Sequence, residues 1–374
     1  MLVSSYMKIL AIEPYYKGSH KAWIDQYIDH SQHEIKLLTL PGKYWKWRMH
    51  GSSLELSKLF LDLKSFTPDL ILFTDMMDVN LFLSLTRSKS SKIKTALYFH
   101  ENQFVYPKSD FDQDQEQNRD DHYGFINYTS GLCVDKLFFN SEYNKKTYLT
   151  GCKRLLSMMP DFNSLKTIYD LEKKSEVLRL GLNLKNITGN QDDSNVKTIL
   201  WNHRWEYDKN PNVFFEALSK LKIENIPFKL NLIGPRNNKA PKIFKDSLEK
   251  YKDEIIHHHK IAQPHEYLEI LGKSHIIPVT SIQDFFGISA TEAICAGVFP
   301  LLPNRLAFPE LIPTQYHLEC LYDSDEELYS MLKNLLLGNS KTWAIQKVRS
   351  HCMQYDWSSM VSHYDEKLFK IFSM

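Results

Sequence analysis

Arg204 and Lys209 stand five positions apart in WNHRWEYDKNP (201–211), after an apolar run and before a helix that opens near Pro211. An arginine fork grips phosphate through paired hydrogen bonds, and a lysine adds a point charge. The spacing alone equally describes two solvated surface cations. Asp284 and Glu292 stand eight apart in QDFFGISATEAICAG (283–297). Between them Gly287 lets backbone come close to a ligand, and the amides of Gly287, Ile288 and Ser289 open a helix, a ready anion site. As a helix-start acid, Asp284 would gain only about 0.3–1 kcal/mol from the dipole. That reading leaves Glu292, inside a small and apolar helix, without an explanation.

Three further stretches carry chemistry. His100 and Glu101 close the apolar run in ALYFHENQF (96–104), at a strand end where side chains meet ligands. Gly18, with Ser19, stands between the first strand and the first helix as a lone glycine turn. KYWKWRMH (43–50) alternates Lys43, Lys46 and Arg48 with Tyr44, Trp45 and Trp47. Such cations neutralise phosphates, and such rings stack on unpaired bases for roughly 1–3 kcal/mol each. The same alternation describes a half-buried strand with both tryptophans in a core. Two metal-like patterns are discounted. DFDQD (110–114) lies in an acidic loop with no strand leading into it, and His257 and His259 of HHH have no carboxylate or cysteine near in sequence. No metal site is expected.

The elements that position these residues follow from patterning. In 374 residues two domains are the natural expectation. Apolar runs (KILAIEP, IKLLTLP, DLILFTD, KTALYFHE, DKLFFNS) alternate with helical spacings such as GSHKAWIDQYIDH and LELSKLFLDLKSF. Continuous apolar runs between helices indicate a parallel sheet covered on both faces. After the polar stretch KNITGNQDDSNVK the alternation restarts with TILWNHR, FKLNLIGP, IIHHHKIA, HIIPVTS and VFPLLP. The expected fold is α/β, with two Rossmann-like doubly wound domains facing across a cleft. The domains are 1–184, a linker 185–196, 197–345, and C-terminal helices 346–374, open to packing back on the first domain.

Bulk numbers limit the partners. A net charge of +1 and a pI of about 7.7 exclude a general nucleic-acid coat, whose domains usually exceed a pI of about 9; any nucleic-acid contact is a local patch. Five scattered cysteines without a C-x-x-C pair argue for a reducing compartment and against a disulfide framework. Glu13 and Pro14 break the first apolar piece, which reads as a strand rather than a secretion signal. No run approaches the roughly 20 apolar residues of a membrane span. A cytoplasmic enzyme is expected.

The pairing R-x4-K with acid-x7-Glu and a following A-x-x-A-G resembles the family-four retaining glycosyltransferases of GT-B architecture. The resemblance implies that Arg204 and Lys209 hold a nucleotide-sugar diphosphate and that Asp284 contacts the donor sugar. Glu292 is then the ribose ligand, Gly287, Ile288 and Ser289 touch phosphate, and His203 joins the donor set. Gly18 and Ser19 occupy the place of a glycine-rich loop over the donor phosphates, and His100 contacts the sugar near its reacting carbon. The departure is Asp284, where the family usually has Glu; one methylene less puts reach and sugar preference in doubt. YYKGSHK, LPGKYWKWR, YFHENQFVYP, FFNSEYN, MMPDF and FFGISATEAICAGVFPLLPNRLAFPE resemble a narrower group, the tRNA-queuosine mannosyltransferases, over about residues 7–310. That resemblance implies transfer of mannose from GDP-mannose to queuosine in the anticodon of an aspartate tRNA, without a metal or cofactor. It places Lys43, Trp45, Lys46, Trp47, Arg48, Asn102 and Gln103 on the tRNA. Two rivals stand beside it. One is a related transferase acting on a lipid or polysaccharide, with KYWKWR as its membrane patch. The other is a non-catalytic tRNA-binding protein, against which the intact Arg204, Lys209 and Glu292 speak.

Overall fold

The computed structural model describes residues 6–106, 122–189, 196–236, 240–258, 261, 263–338 and 344–373. DFDQD, most of the acidic stretch around it, and His259 lie outside them. The chain forms two compact units, Met1–Asn183 with Trp357–Met374, and Leu184–Asp356.

The first unit is built on β1 (Lys8–Tyr16), β2 (Glu34–Pro41), β3 (Leu70–Thr74), β4 (Lys94–Phe99), β5 (Lys136–Phe139) and β6 (Ser175–Val177). All pairs are parallel, in the order β2-β1-β3-β4-β5-β6. Leu10, Ile12, Ile71, Phe73, Leu97, Phe99, Leu137 and Phe139 are buried in one core, which is why these strands read as unbroken apolar runs. Ile12 stands opposite Phe73, and Thr74 opposite Tyr98. Asp75 and His100 therefore follow at neighbouring carboxyl ends, beside Glu13 in the last residues of β1. Helix α1 (Gly18–His30) starts at Gly18, whose φ of +57° suits a residue without Cβ.

Helix α2 runs Trp45–Asp62, beginning well before LELSKLFLDLKSF, where the apolar spacing places a helix. KYWKWRMH thus enters a helix, not a strand, and its alternation of types is no alternation of faces. Gly51 permits this, because a Cβ there would strike the Trp47 ring one turn back. The helix Trp357–Phe372 packs within the first unit. The Tyr364 hydroxyl accepts from Trp23 Nε1 (3.0 Å) and donates to the Arg179 carbonyl (2.9 Å).

The second unit contains β7 (Thr198–Trp201), β8 (Lys229–Leu232), β9 (Ile255–His257), β10 (Ile276–Pro278), β11 (Phe299–Pro303) and β12 (Leu321–Tyr322). These are parallel, in the order β12-β11-β10-β7-β8-β9. Numbered within the unit this is 3-2-1-4-5-6, the dinucleotide-binding order, whose switch point lies between β7 and β10. In the first sheet the direction of winding reverses between β1 and β3. The helix Ala344–Cys352 belongs to this second unit, and the carboxylate of Asp356 takes the amides of Leu184 (2.9 Å) and Lys185 (3.0 Å). All five cysteines are free thiols. Among the described residues no helix is long and apolar enough to cross a membrane.

Candidate active site

The carboxyl end of β7 leads into Asn202, His203 and Arg204, and that of β10 into the loop that carries Asp284. The switch point thus gathers the charged residues of the second unit. Asp208 Oδ2 receives Arg204 Nη2 (3.1 Å) and lies 3.4 Å from Lys209 Nζ. Arg204 also pairs with Glu206 (2.7 Å) and keeps 44% of its side chain exposed. Lys209 is buried and donates to the Gln283 carbonyl (3.0 Å) and to Asp284 Oδ2 (3.1 Å). Burial alone would raise the Asp284 carboxyl; the Lys209 charge and hydrogen bond outweigh it and hold the group below the usual range.

Asp284 has a second task. Its Oδ1 takes the amides of Gly287 (2.7 Å) and Phe286 (3.2 Å). The Gly287 amide, expected on a phosphate, is therefore committed to Asp284 in this structure. Gly287 still shapes the turn: its φ is +91°, and a Cβ would sit 3.0 Å from Leu311 Cδ1. Ile288 begins the helix Ile288–Cys295. The Ser289 hydroxyl meets His203 Nδ1 at 2.8 Å. Burial and the Lys209 charge push His203 down to about 3, so its ring is neutral at working pH, and its buried Nε2 has no partner. The carboxylate of Glu292 accepts from Tyr267 (2.6 Å), whose hydroxyl accepts from Asn202 Nδ2 (3.3 Å). Burial pushes Glu292 up, and the Tyr267 bond opposes this.

His100 lies in the first unit, buried between Trp23, His20 and Tyr98, with ring centroids 4.6, 4.2 and 4.9 Å away. Its amide donates to Asp75 Oδ1 (2.8 Å), and its carbonyl accepts from Asn140 Nδ2 (2.8 Å). His20 Nδ1 meets Glu13 Oε2 at 3.2 Å. Burial disfavours charge on His20, yet Glu13, Asp75 and Glu101 together raise it to about 9; His100, desolvated beside it, is held neutral. Gly18 and Ser19 are exposed just before this cluster.

The expected RNA-facing residues separate. Tyr44 and Trp47 are exposed, at 77% and 58%. Trp45 instead packs on the small cluster of Met49, Met76, Tyr123 and Ile126. Lys43 is exposed; Lys46 lies over the Trp45 ring at 5.7 Å. Arg48 donates twice to the Pro41 carbonyl (3.2 and 3.1 Å). Asn102 corrects the expectation outright. It is fully buried, and its amide donates to Asn144 Oδ1 (2.8 Å) and Thr147 (3.0 Å) while its carbonyl oxygen takes the Phe104 amide (3.1 Å). That is a turn lock, and it leaves nothing for RNA. Gln103 is half-buried and donates to Glu101 (2.9 Å).

Sequence reasoning missed Glu13, His20, Asp75, Asp208 and Tyr267. A lone acid ending the apolar run KILAIE, and another closing DLILFTD, were legible signals for the first and third. Asp208 sits beside Lys209; Tyr267 is 25 residues from its partner Glu292 and left no local trace.

Comparison with known proteins agrees with this architecture. Residues 8–182 match the family described as tRNA-queuosine alpha-mannosyltransferase N-terminal, and residues 185–340 match glycosyl transferases group 1. The chain is 32% identical over 337 residues to the tRNA-queuosine alpha-mannosyltransferase of Drosophila melanogaster, covering 87% of this chain and 86% of the relative. Among solved structures it resembles sucrose-phosphate synthase of Thermosynechococcus elongatus (TM-score 0.71, 13% identity, 98% and 99% of the two chains). It also resembles HepE of Anabaena in complex with UDP (TM-score 0.68, 11% identity, 97% and 100%). These likenesses establish the GT-B fold.

Proposed function

This chain belongs to the tRNA-queuosine alpha-mannosyltransferase family, and we propose on that premise that it transfers mannose from GDP-mannose to a hydroxyl of queuosine in the anticodon of an aspartate tRNA, with retention at the sugar carbon. The observation that carries this reading is the meeting of Arg204 and Lys209 on one carboxylate oxygen of Asp208 at the β7/β10 switch point. Two cations held so close suit a diphosphate, which can displace the carboxylate from the exposed Arg204 fork.

In the proposed reaction the bond from the sugar carbon to the diphosphate oxygen breaks as a new bond to the acceptor oxygen forms on the same face. The acceptor proton passes to the departing phosphate oxygen. Arg204 and Lys209 stabilise the charge that builds there; Glu292, fixed by Tyr267, takes the ribose hydroxyls; Asp284 contacts the hexose, the role the family resemblance also gives His100. Asp284, one methylene shorter than the Glu usual in the family, is held by the Gly287 amide and Lys209. Exposed Trp47, Tyr44 and Lys43 provide a local tRNA surface on a nearly neutral protein. No metal is required in this scheme, because the cations are supplied by the chain. We place the enzyme in the cytoplasm with its tRNA.

The test is to incubate the protein with GDP-mannose and queuosine-containing tRNA and to look for a hexose mass increment on the modified nucleoside. UDP-glucose and queuosine-free tRNA are the controls, and EDTA is expected to leave the rate unchanged. No increment, or an equal one with UDP-glucose, refutes the proposal.

A further inference from the structure

The helix Glu142–Ser157 leaves the carboxyl end of β5 and runs for 16 residues, about 24 Å. Its Tyr148, Cys152, Leu155 and Leu156 turn into the core. On the other side Lys146, Thr150, Lys153 and Ser157 form one exposed line, at the spacing of a helix face. Lys146 and Lys153 thus stand two turns apart, about 10 Å along the axis. Beyond the helix the chain exposes Met158, Met159 and Phe162, the last at 95%. Phe162 sits there in left-handed backbone, at a φ of +41°, and Ser164 follows at +53°. For a bulky residue this conformation is strained and persists only where other bonds hold it. Ser164 Oγ donates to the Phe162 carbonyl (3.1 Å), and Thr167 donates through its amide (2.9 Å) and its hydroxyl (2.8 Å) to the Ser164 carbonyl. Strain of this kind clusters at ligand contacts.

We propose that Lys146, Lys153 and Phe162 form a second RNA contact, distinct from the Trp47 surface. The two lysines take backbone phosphates of the stem that leads away from the anticodon loop, and the Phe162 ring stacks on an unpaired base beyond it. The proposal rests on the transferase reading above and says how the rest of the tRNA lies while the modified base is in the site. The two surfaces are continuous. Leu56 and Phe60 of α2 pack in the same core as Tyr148, Cys152 and Leu156, so both helices cover one face of the first sheet. Both also start beside strand carboxyl ends, α2 after β2 and the second helix after β5. An RNA whose loop reaches those ends past Tyr44 and Trp47 can lay its stem over this face.

Charge and shape select the partner. Within the helix Lys145, Lys146, Lys153 and Arg154 stand against a single acid, Glu142, on a chain whose net charge is only +1. That is a local basic stripe, the footprint of a protein that grips a nucleic acid at a few phosphates. A helix that lies on lipid turns its apolar face outward; here that face is in the core, and Asp161 adjoins Phe162. One exposed ring beyond two spaced cations matches a base and two phosphates.

The experiment titrates the intact protein into full-length queuosine-containing tRNA at several salt concentrations. It compares wild type, the double variant Lys146→Gln, Lys153→Gln, and Phe162→Ala. Each lost phosphate contact takes about 0.7–0.9 off the slope of log affinity against log salt. The double variant is therefore expected to lower that slope by about 1.4–1.8 and to weaken binding about tenfold or more at low salt. Phe162→Ala keeps the strained backbone and removes only the ring; it should weaken binding about fivefold or more, with the slope unchanged. Melting temperature and GDP affinity should stay at their wild-type values, because all three side chains are exposed. Binding of either variant within twofold of wild type overturns the proposal, as does an unchanged slope in the double variant. Loss of binding to phosphatidylserine vesicles with tRNA binding intact also overturns it and assigns the surface to a membrane. Wild-type protein that transfers no hexose but shows both losses refutes the transferase reading and keeps the contact; active wild type with indifferent variants does the reverse.

Discussion

Lys209→Ala should damage stability and catalysis together, whereas Arg204→Ala should damage catalysis alone. Lys209 Nζ is the buried counter-charge of Asp284 at 3.1 Å and of Asp208 at 3.4 Å, and those side chains are 18% and 2% exposed. Removing one partner of a buried pair costs about 3–5 kcal/mol. The low end applies here, because Asp208 keeps Arg204 and Asp284 keeps two backbone amides. For a unit of this size each kcal/mol moves the melting temperature by roughly 2–4 °C, so about 3 kcal/mol lowers it by roughly 6–12 °C. Arg204, with 44% of its side chain in water, is screened, and its ion pairs contribute about 0–1 kcal/mol to stability. Each substitution should cost about 10²–10³ in turnover, the usual loss when one group facing developing charge is removed. The pH dependence carries a sign. Asp284 is depressed in the folded state, so its contribution is present above the normal carboxylate pKa of about 4 and fades as pH falls through the lower folded value. The stability gap between wild type and Lys209→Ala should therefore narrow as pH falls below about 4 and Asp284 loses its charge. Thermal melts by circular dichroism and single-turnover hexose transfer read both quantities. Lys209→Ala that melts within 2 °C of wild type and retains activity within tenfold would refute the reasoning.

Tyr267→Phe removes the hydroxyl donor on Glu292; a hydrogen bond to a charged group is worth about 1.5–3 kcal/mol, so calorimetry should show GDP affinity falling by at least about tenfold. Trp47→Ala, at an exposed ring, should leave the melting temperature within about 1 °C and weaken tRNA binding by about 1–3 kcal/mol in a filter assay, while Trp45→Ala should also destabilise the first unit. His20 is raised to about 9 by Glu13 and its acidic neighbours despite burial. Its stabilisation is complete below the unfolded value of about 6.5 and lost as pH rises through 9. The melting temperature of wild type should fall between pH 6.5 and 9, and Glu13→Gln should flatten that fall.

The parallel sheets were readable because their strands are buried on both faces and leave continuous apolar runs, from KILAIE to VFPLLP. The donor-side charges were readable because Arg204 and Lys209 follow a strand directly and Asp284 and Glu292 bracket a helix start. What escaped depends on distance or on capture by backbone. Tyr267 finds Glu292 only through the packing of two helices. The Gly287 amide seemed available until Asp284 was seen to take it. Asn102, in the polar string after β4, carries the same letters whether it meets RNA or locks a turn; only its burial against Asn144 and Thr147 decides. KYWKWRMH misled by its alternating types, since helical winding sends Trp45 and Trp47 in different directions.

The route of the chain has a further consequence for how the protein is made. Residues Leu184–Asp356 interrupt the first unit, whose closing piece is the helix Trp357–Phe372. During synthesis the early strands emerge with Trp23, Tyr27 and Tyr98 still awaiting Tyr364 and Asp365. The interrupting unit is contiguous and has every strand of its sheet before that helix leaves the ribosome. The half translated first is thus the half finished last, its aromatic seam unfilled until that helix arrives.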